Sequence, residues 1–240
     1  MRPCDGILVV GDLHFGWPPL FELVREHRPS LVLQVGDLDY LPVSGAWTYL
    51  RKAYSLPKCC SLHFCEGNHD DLDSLWALRE PGPPRAYQVH DRIFWQDRGS
   101  TLTLPDGRVV CFIGGAYSVD RPRKPGEDWW PGKEILGPEV LDQLPERADI
   151  VISHTAPAAF RVPGLRDAAA LQEMNWDPSP DPSRDVLDQV LATLRPNQWF
   201  FGHFHCYAKG ETAGCRWTGL ARLDAPNLAD GCGWMRLKNL

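Results

Sequence analysis

Six short segments of the chain are almost continuously apolar and rich in β-branched or aromatic residues: 7–10, 31–35, 62–65, 109–113, 150–152 and 199–201. A strand with one solvated face alternates apolar and polar residues, whereas a strand covered on both faces does not. The six segments therefore predict strands that are buried on both faces.

Helical spacing of apolar residues lies between several of these strands. The clearest pattern places apolar residues on one face of a helix at positions 186, 187, 190, 191 and 194, with Ser183 as the predicted N-cap and Pro196 as the stop. Shorter patterns centre on Leu20, Trp47 and Leu72. Strands that alternate with helices indicate an α/β layer architecture.

Three further patterns complete the predicted fold. The Pro-Asp-Gly sequence at 105–107 predicts a hairpin turn, so the sheet is expected to be mixed. Segments 215–220 and 233–237 have the composition of strands and are expected to complete a second sheet. Segments 117–138 and 155–182 show no clean period and predict long loops, which are often functional in a compact domain.

Length and charge narrow the class of protein. With 240 residues and 43% hydrophobic content, the chain is expected to form a single domain over residues 1–240. A net charge of -6 argues against a dedicated nucleic-acid binder, although bound cations would still allow an anionic substrate. The apolar run before Gly11 is too short for a signal segment or a membrane span, so a cytoplasmic protein is expected.

The eight cysteines are irregularly spaced and include no CxxC pair. Without a secretory signal, this pattern predicts reduced and mostly buried thiols, with disulfides or a structural zinc site as the alternative.

Polar side chains with metal-binding capacity follow five of the six predicted strands, at the point where each strand ends: Asp12, His14, Asp37, Asn68, His69, His154, His203 and His205. The carboxyl ends of strands in an α/β sheet share one edge, where ligands bind. A mixed set of oxygen and nitrogen donors suits Mn, Fe or Zn better than Ca or Mg. With seven of these eight side chains as ligands, the donors are too many for one ion, whereas two ions about 3.5–4 Å apart would use all seven and assist an in-line displacement at phosphorus.

Each of these residues also has an ordinary explanation when it is taken alone. A single histidine near a strand end is more often a structural hydrogen-bonding residue than a metal ligand, and a lone Gly-Asp pair is usually a turn. Five of the eight histidines nevertheless fall at strand ends in this pattern, which favours a metal site. His27, His63 and His90 match no motif and are expected to be structural.

Five short motifs in this order resemble those of the calcineurin-like metallophosphoesterases: Gly11-Asp12-Leu13-His14, Gly36-Asp37, Gly67-Asn68-His69-Asp70, Ser153-His154 and Gly202-His203-Phe204-His205. The resemblance covers residues 7–205 and implies an α/β/β/α sandwich of two mixed sheets flanked by helices.

The resemblance also implies roles for the motif residues. Asp12, His14 and His205 would hold one metal ion, and Asn68, His154 and His203 would hold the other. Asp37 would bridge the two ions. Manganese is the favoured metal for both. His69 would face the substrate and protonate the leaving oxygen, and a metal-bridging hydroxide would be the nucleophile.

Two departures from the family pattern bear on the substrate. Protein phosphatases of this superfamily carry GDxxDRG at the second motif and HGG at the fourth, whereas this chain has Leu38 and Asp39 after Asp37, and Thr155 after His154. The differences argue against a protein phosphatase and leave open whether Asp39 or Asp70 supports His69.

The segment from Gly114 to Trp130 is similar to one that many small bacterial and phage metallophosphoesterases carry. In it, Arg121, Arg123 and Lys124 could reach a second phosphate or could simply be solvated. Trp129 and Trp130 could stack on a substrate or could fix the loop to the core.

The expected function is hydrolysis of phosphate monoesters with two divalent metal ions. A phosphodiesterase acting on cyclic nucleotides or nucleic acid is the alternative within the same chemistry, because it would use the same two ions. A catalytically silent scaffold with this fold is the alternative outside it.

Overall fold

The computed structural model describes residues 4–120, 123–163, 165, 168–224 and 233–238. Two six-stranded sheets form its centre. The strands, in chain order, are β1 (Ile7–Val10), β2 (Leu31–Gln34), β3 (Ser61–Phe64), β4 (Ala86–His90), β5 (Ile93–Gln96), β6 (Thr101–Thr103), β7 (Val109–Ile113), β8 (Ile150–Ser153), β9 (Gln198–Phe201), β10 (Ala208–Thr212), β11 (Cys215–Gly219) and β12 (Trp234–Arg236).

Helices connect and flank the strands. They are α1 (Trp17–His27), α2 (Gly45–Ala53), α3 (Leu72–Trp76), α4 (Ala168–Glu173) and α5 (Ser183–Leu194), together with a 3-10 helix at Pro138–Gln143. The longest helix among the described residues has 12 residues, and none of the described helices is long and apolar enough to cross a membrane.

Both sheets have parallel centres and antiparallel edges. The first sheet has the order β12-β1-β2-β3-β5-β4, in which only the two outermost pairs are antiparallel. The second has the order β10-β11-β9-β8-β7-β6 with the same arrangement. The carboxyl ends of β1, β2 and β3 therefore point the same way, as do those of β7, β8 and β9.

The core explains why the central strands are apolar at every position. In β1, Ile7 and Val9 pack into the layer between the two sheets, whereas Leu8 and Val10 pack beneath the helices on the outer face. In β8, Ile152 lies in the same inner layer and Val151 faces α5. Both faces of these strands are buried, and the expected α/β/β/α sandwich is confirmed.

All six strands predicted from continuous apolar runs are present, as are the hairpin at 105–107 and the helices at the predicted positions. Segment 117–138 contains no α-helix or strand within its described part, whereas 155–182 contains α4. The two segments near the carboxyl end do form strands, but only β11 joins the second sheet, because β12 pairs with β1 in the first.

Ser183 does not have its predicted role. Pro182 occupies the N-cap position of α5, and Ser183 is the first residue of the helix. Its hydroxyl oxygen instead accepts a hydrogen bond from the Leu136 amide at 3.0 Å. This contact holds the end of segment 117–138 against α5.

The expectation of reduced thiols is wrong for two cysteines. Cys4, just before β1, and Cys59, just before β3, form a disulfide. Strands β1 and β3 flank β2 in the same sheet, so the fold brings together two residues that are 55 positions apart. The other described cysteines, Cys60, Cys65, Cys111, Cys206 and Cys215, are free thiols.

Candidate metal centre

The strand ends bring all seven predicted metal ligands together. Asp12 follows β1, Asp37 follows β2, Asn68 follows β3 and His154 follows β8, and all four side chains are buried. The loop after β9 adds His203 and His205, and His14 completes the loop after β1. His205 is the most exposed of the set, which leaves one side of the centre open to solvent.

One group of donors surrounds Asp12. The Nε2 atoms of His14 and His205 are 2.8 Å apart, and His205 Nε2 lies 3.2 Å from Asp12 Oδ2. His14 Nε2 lies 3.4 Å from Asp37 Oδ2. The donor atoms of these four residues all lie within 4.8 Å of one another, a spacing that could hold a single metal ion.

A second group surrounds the amide oxygen of Asn68. Asn68 Oδ1 lies 3.0 Å from His154 Nε2 and 3.1 Å from His203 Nδ1. His154 Nε2 also lies 3.3 Å from Asp37 Oδ1. One oxygen of Asp37 thus faces each group, the placement that a bridging carboxylate requires.

Backbone contacts fix the direction of these side chains. His154 Nδ1 lies 3.0 Å from the Val35 carbonyl oxygen, so this nitrogen carries a proton, and Nε2 is the nitrogen that could act as a metal ligand once its own proton is released. The His203 amide donates to Asp12 Oδ2 at 2.9 Å, and the His69 amide donates to Asp37 Oδ1 at 2.9 Å. The motifs therefore orient one another's carboxylates.

The buried groups of the centre change one another's pKa. Burial disfavours a charged imidazole at His154, but the Asp37 carboxylate outweighs this effect and raises the pKa of His154 to about 10. Burial and the charge on His154 lower the pKa of His203 to about 4. Asp12 and Asp37 are almost fully buried, and such carboxylates need nearby positive charge.

Several residues around the centre have a positive φ, which residues other than glycine rarely adopt. Six residues of the motif loops have a positive φ: His14, Phe15, Asp37, Asp39, His203 and His205. The left-handed region is costly for residues other than glycine and occurs disproportionately at functional sites. Folding therefore places these side chains at a cost in backbone strain.

The donor set fits the metals expected from the sequence. Four imidazole nitrogens combine with two carboxylates and one amide oxygen, a mixture that suits Mn, Fe or Zn. The metal-ligand assignments themselves stay predictions.

His69 pairs with a residue that the sequence did not indicate. His69 Nε2 lies 3.3 Å from Asp120 Oδ2. Of the two acids proposed from the sequence, Asp39 has a carboxylate oxygen within 4.8 Å of a ring nitrogen of His69 and lies 4.0 Å from His14 Nδ1. Asp70 instead accepts from the amides of Tyr40 and Gly67 at 2.8 Å each. The only signal for Asp120 was its place after β7, the one of the six predicted strands whose following loop supplied no predicted metal ligand.

A cleft of about 410 Å³ opens beside His69. Its apolar wall consists of Phe15, Leu41 and Trp176, and its polar lining consists of Asp39, His69, Asp120, Arg123 and Asp128. A leaving group attached to a phosphate at the metal centre could occupy this space.

The predicted substrate-binding residues are placed differently from one another. Arg121 lies outside the described residues. Arg123 lines the cleft, but its guanidinium donates to Ser118 Oγ at 2.7 Å, to the Asn68 carbonyl at 3.1 Å and to the Asp128 carbonyl. Trp130 packs in the hydrophobic core at 4% exposure, in agreement with the alternative that it fixes the loop.

Comparisons with known proteins bear on the family and the fold. The sequence profile of a family described as calcineurin-like phosphoesterase matches residues 6–207. No curated protein sequence matches the chain.

Among solved structures, TT1561 of Thermus thermophilus superposes with a TM-score of 0.52 at 12% identity, covering 92% of this chain and 90% of that chain. GAP50, the anchor in the inner membrane complex of Plasmodium, gives 0.49 at 14% identity, covering 96% and 75%. Phosphopantetheinyl hydrolase (PptH) from Mycobacterium tuberculosis gives 0.44 at 12% identity, covering 97% and 95%. At such identities, the comparison with TT1561 shows a shared fold and nothing about the substrate.

Proposed function

Because the chain belongs to the calcineurin-like phosphoesterase family and is therefore a phosphoester hydrolase, we propose that it removes phosphate from monoesters with two divalent cations, manganese being favoured. The observation that supports two cations is the division of the seven donors into two groups, with one oxygen of Asp37 facing each. Two bound cations would supply an activated water and would neutralise charge on the phosphoryl group.

The residues of the chain account for the remaining steps. The two groups of ligands place the phosphoryl group at the carboxyl ends of the central strands of the two sheets. His69, at 27% side-chain exposure, faces the cleft and donates a proton to the leaving oxygen. In the protein without substrate, Asp120 Oδ2 lies 3.3 Å from His69 Nε2 and orients the imidazole ring.

The cleft supports a monoester with an uncharged leaving group. Phe15, Leu41 and Trp176 offer apolar surface that an aromatic leaving group could contact. Arg123 is the one guanidinium among the described lining residues, and it is already bonded to Ser118 and to the backbone carbonyls of Asn68 and Asp128, so it is poorly placed to bind a further phosphate on the leaving group.

The test is hydrolysis of an aryl phosphate by the purified protein with Mn²⁺. Asn68→Ala removes a donor of the second group, and His69→Ala removes the proton donor, so we expect each variant to lose about 10²-fold or more in kcat. His27→Ala, a change at the end of α1 and outside the motifs, is the control and should keep the activity of the parent. Hydrolysis that persists after complete metal removal, or variants as fast as the parent, would contradict the proposal.

A bis-aryl phosphate assayed beside the mono-aryl substrate separates the two chemistries. The proposal predicts a higher kcat/KM for the monoester. Faster cleavage of the diester would instead assign the centre to a phosphodiesterase, with the same ligands.

A further inference from the structure

Asn68 poses a requirement that the other predicted ligands do not. Its side chain carries an oxygen, which can bind a cation, and an NH₂ group, which cannot. The two ends have almost the same shape, so packing alone does not select between them. The chain must fix the amide by hydrogen bonding if Oδ1 is to face His154 and His203.

The hydroxyl of Ser118 lies at the NH₂ end of this amide. Asn68 Nδ2 donates to Ser118 Oγ at 3.2 Å, and both residues are almost completely buried. A hydroxyl can donate as well as accept, so it selects the NH₂ end only if its own proton is committed elsewhere.

Glu134 accepts the hydrogen bond that the Ser118 hydroxyl donates. Ser118 Oγ donates to Glu134 Oε2 at 2.7 Å, and Glu134 is 1% exposed. The other carboxylate oxygen, Oε1, accepts from the Ser118 amide at 3.2 Å and from Trp129 Nε1 at 3.1 Å. All three contacts of the carboxylate are with donors, as expected for a group that only accepts.

Arg123 closes the arrangement. Its Nη1 donates to Ser118 Oγ at 2.7 Å, so a second donor occupies the lone pairs of the same oxygen. Its Nη2 donates to the backbone carbonyl of Asn68 at 3.1 Å. The Ser118 hydroxyl thus has one acceptor and two donors around it, which leaves it no freedom to reverse.

We propose that Ser118 and Glu134 are positioning residues that turn Asn68 Oδ1 toward the second cation. The inference rests on the proposed function, because it assigns Asn68 to one of two cations. Neither residue belongs to the five motifs, and both come from the segment that follows β7. Groups that orient ligands from behind typically change metal affinity by about 10–100-fold when they are removed.

Two variants test the pair. Ser118→Ala removes the acceptor for Asn68 Nδ2. Glu134→Gln keeps the shape but presents an NH₂ group that can donate to Ser118, so that the hydroxyl no longer has a fixed direction. We expect both variants to bind Mn²⁺ at the group around Asp12 like the parent, and to bind Mn²⁺ at the group around Asn68 about 10–100-fold more weakly.

The measurement is Mn²⁺ titration by calorimetry, together with electron paramagnetic resonance, in which a coupled pair of Mn²⁺ ions differs from a single ion. Ser100→Ala is the matched control, because this buried hydroxyl donates to Gln96 Oε1 at 2.9 Å and makes no contact with Asn68 in the described part of the chain. It should retain the coupled signal. Thermal unfolding of the metal-free proteins checks that each variant folds.

The outcomes separate the inference from the function on which it rests. Two ions bound with parental affinity in both variants would overturn the positioning role and leave the function intact, as would an equal loss at both sites. A parent that binds only one ion would overturn the two-cation function and the inference together.

Discussion

At the scale of single residues, the proposed function assigns the departure of the leaving group to His69 and Asp120. The two side chains are 3.3 Å apart at the edge of the cleft. A carboxylate beside an imidazole fixes the orientation of the ring and favours its protonated form. Burial disfavours the charged ring, but Asp37 and the hydrogen bond to Asp120 raise the pKa of His69 above its usual value. A protonated His69 can assist a leaving group that cannot depart unaided.

Asp120→Asn should therefore slow poor leaving groups more than good ones. We expect kcat for an alkyl phosphate to fall by about 10–100-fold, and kcat for a nitrophenyl phosphate, whose leaving group needs little protonation, to fall much less. The measurement is the dependence of kcat on the pKa of the leaving group.

Asp128→Asn is the control for this prediction, because Asp128 lines the same cleft without contacting His69 among the described residues. It should leave the dependence on the leaving group as in the parent. An equal loss of kcat for every leaving group in Asp120→Asn would show that Asp120 acts only on the structure.

Some residues of the site could be predicted from the sequence and others could not. The positions of Asp12, Asp37 and His154 could be predicted, because each directly follows a buried strand. Asp120 and Ser118 could not, because they lie several residues into a loop without periodicity, and only the folded loop brings them to His69 and Asn68.

At the scale of elements, the turns after the strands allow the motifs to pack against one another. Gly202 follows β9 and packs against Asp12, and Gly67 follows β3 and packs against Asp37. A Cβ atom at Gly202 would overlap Asp12 Oδ1, and one at Gly67 would overlap Asp37 Oδ1. Glycine precedes the predicted ligands there because a carboxylate from another motif occupies the space of a side chain.

Gly202→Ala should displace Asp12 from its place between His203 and His205. We expect weaker binding of the cation assigned to Asp12 and a lower midpoint of thermal unfolding, because the methyl group has no space and the loop must shift. Mn²⁺ titration and thermal unfolding measure the two effects.

Gly45→Ala is the matched control, since a Cβ atom at this position in α2 would meet nothing within 4 Å. It should bind Mn²⁺ like the parent and unfold at the same temperature or slightly higher. Parental binding and stability in Gly202→Ala would contradict the packing explanation.

The elements that could be predicted are those with a single environment. The central strands are buried on both faces, so they are apolar at nearly every position, and this pattern can be recognised in the sequence. Strands β4, β5 and β10 escaped prediction. Strands β4 and β10 lie at the edges of the sheets and have mostly exposed or partly buried residues. Strand β5 is mostly buried, but its apolar run is only three residues long before Gln96. The N-terminus of α5 was misassigned because Ser183 contacts a distant amide, that of Leu136, which no local pattern reveals.

At the scale of the whole molecule, the metal centre joins the two sheets. Asp12, Asp37 and Asn68 leave the first sheet, whereas His154 and His203 leave the second. Each sheet supplies only part of each group of ligands. The centre therefore depends on how the two sheets pack, which the inner layer of buried residues between them determines.

The disulfide between Cys4 and Cys59 should stabilise the first sheet from the side opposite the centre. It closes a loop of 55 residues, and removing such a link usually costs about 2–4 kcal/mol in the free energy of unfolding. Replacing both cysteines with serine should lower the denaturant midpoint by a corresponding amount while leaving Mn²⁺ binding unchanged.

Cys206→Ser, a change at a partly buried free thiol, is the control for this prediction and should alter the midpoint only slightly. Treatment of the parent with a reductant should reproduce the double variant. A parent that unfolds at the same midpoint with and without reductant would show that the link contributes nothing to stability.

The segment between β7 and the 3-10 helix has a consequence for the diversification of such enzymes. It lines the cleft through Asp120 and Arg123, and it holds Asn68 through Ser118 and Glu134. If the proposed roles hold, this one segment affects both the choice of substrate and the binding of the second cation. A graft of a segment that lacks counterparts of Ser118 and Glu134 would change the cleft wall and remove the support of Asn68 together, so we expect new specificities to arise by point changes within the segment rather than by its exchange.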